Sequence, residues 1–425
     1  MSAKFNLKKS TLLAAVILIA VSVVQFAQST NNQRYWMKIR AKDKFERSII
    51  ANIVGIENAK DDYVVAFGND DDLKKIQKLG WLISYSNLAE EARLGGKDFP
   101  KKDSAYHNYE ELTAALTKLA NENPTLVTMV SAGKSTEGRD IWAMRLGSDQ
   151  AQASQRPAVI FMGGHHAREH LSVEMPLMLA QHLVAQYKAG NQRIVGLMDS
   201  RDIHIIPVVN PDGKAYDIQD GSYKVWRKNR SKNSNGTFGT DLNRNYSFKW
   251  GTGGSSTNPN NDTFMGTKPF SEPETQTVKN YVEAHTNITI LLSFHTYSQL
   301  ILYPWGHKYD GIENGKDLRV HEVMARKMAG WNNYTPQQSS DLYIASGDTT
   351  DWSYGEHKIF SFTFELDPSA NSGGFGGDGF YPGARVIQPV FNKNLEPVLY
   401  LLAYADNPYR SISVSIGPIN PNPTP

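Results

Sequence analysis

Hydrophobic and polar positions follow two regimes along the chain. Between residues 33 and 93 short alternating runs dominate: Tyr35-Trp36-Met37-Lys38-Ile39 and Tyr63-Val64-Val65-Ala66-Phe67 predict half-buried strands, and residues 42–53 an amphipathic helix. A helix over residues 71–79 and a closing strand, Trp81-Leu82-Ile83-Ser84-Tyr85, complete a small α+β module of antiparallel strands. From Tyr106 to about Tyr409 the runs become continuously apolar: Val159-Ile160-Phe161-Met162, residues 203–209, residues 288–294 and residues 359–366. Strands buried on both faces read this way. Helical periods separate them, one over residues 167–187 and one opened by Ser271 as N-cap with Glu274 as capping-box partner. The alternation predicts an α/β domain with a mixed, largely parallel central sheet and helices on both faces. Residues 212–269 lack a regular period and read as ordered loops, which at that length carry function.

Composition marks the segments between and around these regions. Lys4, Lys8 and Lys9 precede an apolar stretch and the small residues of Ala27-Gln28-Ser29, so residues 1–29 read as a secretory signal peptide. The apolar stretch is shorter than the roughly 20 residues a membrane span needs. Residues 30–93 then form the small module and residues 94–105 an exposed linker open to proteases. Residues 106–410 form the main domain, and residues 411–425 a Pro-rich disordered tail. A net charge of +2 gives no surface for nucleic acid, and a monomer is expected. The absence of Cys excludes disulfides, thiolate metal sites and a Cys nucleophile, and with export it points to a secreted or periplasmic bacterial protein.

The candidate chemistry begins at Gly163-Gly164-His165-His166-Ala167-Arg168-Glu169, directly after a buried run. His166 and Glu169 stand three apart, and with a distant third His they make an open zinc site with room for a water. So short a motif arises readily by chance, and His107-Asn108-Tyr109-Glu110 is a second copy. That copy follows a polar segment and reads as a helix start. Topology separates the two. Ligands of open α/β sheets bind beyond the carboxyl ends of the strands. The expected strands end at His165 and His166, at His295 and at Glu365, which makes His295 the third ligand. Glu365, in an apolar run where an unpaired carboxylate is costly, becomes the general base for a water whose pKa zinc lowers to about 7. Arg residues in residues 226–231 and 241–246 offer planar forks suited to a carboxylate.

Six ordered motifs carry a resemblance over residues 106–404: His-Ala-Arg-Glu, Trp-Arg-Lys-Asn-Arg-Ser, Asp-Leu-Asn-Arg-Asn, Ser-Phe-His-Thr-Tyr-Ser-Gln, Ala-Ser-Gly-Asp-Thr-Thr-Asp-Trp and Phe-Thr-Phe-Glu-Leu. In these the chain resembles the M14 zinc carboxypeptidases, the carboxypeptidase A/B family, for which a His₂Glu zinc site is already known. The resemblance implies one Zn2+ on His166, Glu169 and His295, and Glu365 as a base that later returns its proton to the leaving amine. It implies Arg230 at the oxyanion, a contribution often worth about 3 kcal/mol. Asn243, Arg244 and Tyr343 would grip the terminal carboxylate of a peptide or protein substrate, Arg168 would be an outer contact, and Asp241 would orient His166. By position, residues 30–93 would be an inhibitory pro-domain, making the chain a zymogen. A structural Ca2+ leaves no signature in the sequence. Around residues 342–348 the chain looks most like the bacterial carboxypeptidase T branch, whose members accept apolar and basic C-terminal residues. Thr350 stands where the animal A type has an apolar residue and the B type an Asp. Asp348 stands where both have Gly, and one Asp in a neutral pocket pairs a Lys or Arg without excluding a Leu.

Overall fold

The structure is a computed structural model that describes residues 33–87, 99–221, 223–370 and 379–413. The expected signal peptide, most of the expected tail and residues 94–98 of the expected linker lie outside the described residues.

The first described segment forms a four-stranded antiparallel sheet from β1 (Arg34–Arg40), β2 (Gly55–Ala59), β3 (Tyr63–Asn69) and β4 (Leu82–Asn87), in the order β2-β3-β1-β4. Helices Lys44–Ala51 and Asp70–Leu79 cover it. The second is closed at its start by a reciprocal cap between Asn69 and Asp72, which satisfies two backbone donors. Met37, Ile39, Ile50, Val64, Ala66 and Ile76 form its core. Strand β2 is an addition to the sequence reading, because Gly-Ile-Glu-Asn-Ala has no alternating apolar pattern.

The larger sheet contains β5 (Val127–Lys134), β6 (Asp140–Leu146), β7 (Ala158–Met162), β8 (Asp202–Ile206), β9 (Ile288–Ser298), β10 (Leu300–Tyr303), β11 (Thr335–Gln338) and β12 (Phe360–Ser369). Their order is β11-β10-β12-β9-β7-β8-β6-β5. The central four, β12, β9, β7 and β8, run parallel, while β6 and β5 on one side and β10 on the other pair antiparallel with their inner neighbours. The continuous apolar runs follow from this placement. Val159 and Phe161 enter one core with Leu171, Leu183 and Leu401, while Ile160 and Met162 enter the other with Val278, Val282 and Trp352.

Three local expectations change. Helix His170–Lys188 begins later than expected, which leaves His166 to Glu169 in the preceding loop. Ser271 does not cap its helix: Glu272 occupies the cap position before Pro273, and the Glu274 carboxylate accepts from the Thr136 N–H at 2.9 Å and Asn229 Nδ2 at 2.9 Å. The end of the expected linker is part of the larger domain. Phe99 is buried and stacks on Tyr381 at 5.7 Å, and the buried Asp103 accepts from Tyr381 Oη and the Ala384 N–H. Among the described residues no helix is long and apolar enough to cross a membrane.

Candidate metal centre and substrate site

The register of the sheet brings the site together. Strand β7 stops at Met162 opposite Ser293, whereas β9 and β12 run on with Glu365 paired to His295. His295 and Glu365 therefore lie within strands that overrun β7, rather than just past strand ends as the sequence suggested. The chain leaves β7 by a turn at Gly163, where a Cβ would stand 2.1 Å from the Ser172 carbonyl oxygen. Only glycine fits so close an approach. That turn carries His166 and Glu169 back over the end of β9. His165 faces away, towards Tyr246 Oη at 3.0 Å and Thr349 Oγ1 at 3.2 Å.

His166, Glu169 and His295 are buried and offer donor atoms within 4.8 Å of one another. His166 Nδ1 lies 2.7 Å from Glu169 Oε1, and His295 Nδ1 lies 3.0 Å from Glu169 Oε2. The two Nδ1 atoms are 3.2 Å apart. Two imidazole nitrogens and a carboxylate aimed at one point suit a cation, and two His with one Glu suit zinc in particular. The buried Nε2 of His295 has no hydrogen-bond partner. Behind the cluster Asp241 Oδ1 lies 3.1 Å from His166 Nε2, and Asp241 Oδ2 accepts from Arg227 Nε at 2.9 Å. Such a carboxylate fixes the tautomer and direction of a ligating imidazole. Burial opposes the charge on Glu169, yet the two imidazoles hold its carboxyl below the usual range. Glu365 is half-buried at the cavity wall, and burial with the nearby Glu169 charge pushes its carboxyl up to about 8. A dication at the triad acts in the opposite sense.

The cluster opens into a cavity of about 80 Å³. Arg227, Asn243, Arg244, Tyr343, Asp348 and Thr350 line it together with Glu365 and the triad. Arg230 does not. Its guanidinium lies over the Tyr216 ring at 3.6 Å and the Phe238 ring at 4.5 Å, and Nε is 3.8 Å from Glu137. The expectation for Arg230 is thus corrected: of the two arginines in this loop it is Arg227, three residues earlier, that lines the cavity, buried and held charged by Asp241 and Glu57 against the cost of burial. Asn243 Oδ1 accepts from the N–H and Oγ1 of Thr349, and Arg244 donates to the carbonyls of Gly254 and Asn243. Arg168 is fully buried just outside, paired with Glu57 and with Asp262.

Asp348, also in the cavity wall, caps helix Thr349–His357. Its Oδ1 accepts from Thr350 N–H at 3.0 Å, Thr350 Oγ1 at 2.6 Å and Asp351 N–H at 2.9 Å. Its Oδ2 is buried and has no hydrogen-bond partner. Burial, then the Asp351 charge, push its carboxyl up to about 6.

Residues from the small module complete the cavity wall: Ile56, Glu57, Asn58 and Ala59. Besides its pair with Arg168, Glu57 lies 4.0 Å from Arg227 Nη1. Asn58 Nδ2 donates to the Ala370 carbonyl at 2.8 Å, and Tyr343 Oη to the Ile56 carbonyl at 3.4 Å. No apolar pattern marks Glu57, which sits in the strand β2 that lacks alternation.

Comparison with known proteins places these features in a family. Residues 112–397 match the family described as zinc carboxypeptidase, Peptidase M14. A zinc carboxypeptidase from Saccharothrix mutabilis subsp. capreolus is 40% identical over 322 residues, 74% of this chain and 73% of that protein. Carboxypeptidase B from Astacus astacus is 33% identical over 278 residues, 64% of this chain and 89% of that protein. Among solved structures, carboxypeptidase A from Helicoverpa armigera superposes with a TM-score of 0.69 at 25% identity, covering 89% of this chain and 98% of that one.

Proposed function

The chain belongs to the zinc carboxypeptidase family and is a metallocarboxypeptidase, a zinc-dependent exopeptidase, and from that premise we propose which residues carry the reaction, what the small module does and which C-termini are taken. The observation that carries the reading is one cavity bounded by the His166, Glu169 and His295 cluster, by Glu365, and by Arg227, Arg244 and Tyr343. Zinc held by the cluster supplies a polarised substrate carbonyl and a water of lowered pKa. Glu365 takes the proton of the attacking water and hands it to the leaving amine. Arg227 presents its planar donors to the developing oxyanion. Asn243, Arg244 and Tyr343 hold the substrate's terminal carboxylate, and Arg168 is an outer contact. The bidentate fork of Arg244 matches that group. Asp241 holds His166 in its ligating tautomer.

The small module acts as an inhibitory pro-segment, and the chain is a secreted zymogen. With Glu57 among the arginines, about 80 Å³ remains in the cavity. Release requires a cut ahead of Phe99, because Phe99 and Asp103 are packed into the larger domain. At the pocket end, Asp348 Oδ2 pairs with a Lys or Arg side chain, while Thr350 and the remaining wall accept an apolar one.

Mass spectrometry of a test peptide incubated with the full chain, before and after limited proteolysis, tests this. Residues are expected to leave one at a time from the C-terminus, only after the cut, and not in the presence of a chelator. Dominant internal cleavage contradicts the exopeptidase reading, and full activity before the cut contradicts the zymogen.

A further inference from the structure

Strand β2 of the small module lies against the cavity, and three successive residues touch the larger domain there. The Ile56 carbonyl accepts from Tyr343 Oη at 3.4 Å, Glu57 pairs with Arg168 and lies 4.0 Å from Arg227 Nη1, and Asn58 Nδ2 donates to the Ala370 carbonyl at 2.8 Å. The register with β3 matches Ile56 to Ala66 and Asn58 to Val65, so Glu57 is the extra residue of a bulge. A bulge re-aims one side chain out of the ladder, and here that side chain is a buried carboxylate beside two arginines. Arg168 is itself fully buried, with its guanidinium 5.1 Å from the Phe67 ring and 4.4 Å from the Phe380 ring. Its Nη1 lies 3.2 Å from Asp262 Oδ2, and its buried Nε has no hydrogen-bond partner. Glu57 meets Nη2 and leaves Nε of the same fork unpaired. A carboxylate free to turn meets both donors at once.

When the small module leaves, it takes Glu57 with it, and also Arg34, which lies 2.6 Å from the same Asp262 oxygen that Arg168 uses. Arg168, Arg227 and Lys228 of the larger domain then face two acids of that domain, Asp241 and Asp262. One cation is in excess where the Glu57 carboxylate was, and an anion from the substrate restores the balance. The terminal carboxylate and the last side chain are already assigned to Asn243, Arg244, Tyr343, Asp348 and Thr350. The Arg168 guanidinium is held by Glu57, Asp262 and the Val225 carbonyl, none of which belongs to that set. Arg227 stands beside the metal cluster, joined to His166 through Asp241. The space between Arg168 and Arg227 therefore falls to the part of the substrate ahead of the bond that is cut. We propose that this space is a subsite for an acidic side chain of the substrate, on the amino-terminal side of that bond, and that Glu57 occupies it in the full chain. The proposal rests on the reading of the small module as a pro-segment that leaves.

The test uses the full chain matured by limited proteolysis and freed of the small module, with kcat and KM measured on amino-terminally blocked peptides ending in Leu. A single Glu is placed second, third or fourth from the C-terminus and compared with Gln at the same position. One position is expected to favour Glu by about tenfold in kcat/KM, chiefly through KM, as suits one charge-assisted pair. Arg168→Gln is expected to bring that ratio to about one, and its activity on the Gln peptide reports that it is folded. Arg168→Lys, which keeps the charge and loses the fork, is expected to fall between the two, and it decides the role of Arg168 if Arg168→Gln fails to fold. A Glu/Gln ratio near one at every position overturns the subsite. So does an equal preference at all three positions, which reports only the general field of the protein. A preference that both Arg168 variants leave unchanged also overturns it. Full activity of the uncut chain contradicts the pro-segment reading instead, so the two failures are told apart.

Discussion

Glu169 and Asp348 are buried carboxylates in the wall of one cavity, and their ionisation is driven in opposite directions. Burial alone pushes both upward. Glu169 lies between two imidazoles and stays below the usual carboxylate range. Asp348 has a second acid as its neighbour and rises to about 6. Charge at the metal end is thus fixed by partners drawn from three distant segments: the loop after β7, strand β9 and the Asp241 loop. Asp348 Oδ2, by contrast, meets no hydrogen-bond partner on the protein. Two carboxylates that burial pushes the same way thus end apart, because one lies between two imidazoles and the other beside a second acid.

The largest effect expected at the metal end is that of Glu365→Ala, a loss of about 10²- to 10⁴-fold in kcat with zinc content unchanged. Glu57→Ala comes next. It leaves Arg168 paired with Asp262 alone of its two ion-pair partners, and losing half of a buried charge network costs about 3 kcal/mol. The uncleaved chain is then expected to gain measurable activity, read with a chromogenic dipeptide. The two arginines should separate cleanly: Arg227→Ala lowers kcat/KM by about 10²- to 10³-fold, and Arg230→Ala stays within a few fold. At Asp348 the effect is on stability. A carboxyl whose native value exceeds its unfolded value of 3.8 binds the proton more tightly when folded. Its contribution is present at low pH and is lost as pH rises from about 4 to about 6, so Asp348→Asn, also a good N-cap, should gain about 1–3 kcal/mol over the native chain above that window and nothing below it. Urea unfolding across pH reads that difference.

What was legible in the sequence follows the same division. The clustering of His166, Glu169 and His295, with Glu365 on the same cavity wall, was legible because apolar runs locate strands, and the ends of parallel strands gather such side chains. The overrun of β9 and β12 was not visible, since the register with β7 depends on pairing across more than a hundred residues. Arg227 and Arg230 share an irregular loop whose residues have no period. Only the carboxylate of Asp241 on one side and the rings of Tyr216 and Phe238 on the other decide which arginine turns inward. Glu57 lay in a strand with no apolar alternation.

The central claim, that His166, Glu169 and His295 together hold the metal, is tested most directly by zinc content after equilibrium dialysis. One zinc per chain is expected in the native protein, in Arg230→Ala and in Asp348→Asn, with loss in Glu169→Ala and His295→Ala. Full zinc retention in both ligand variants would contradict the account.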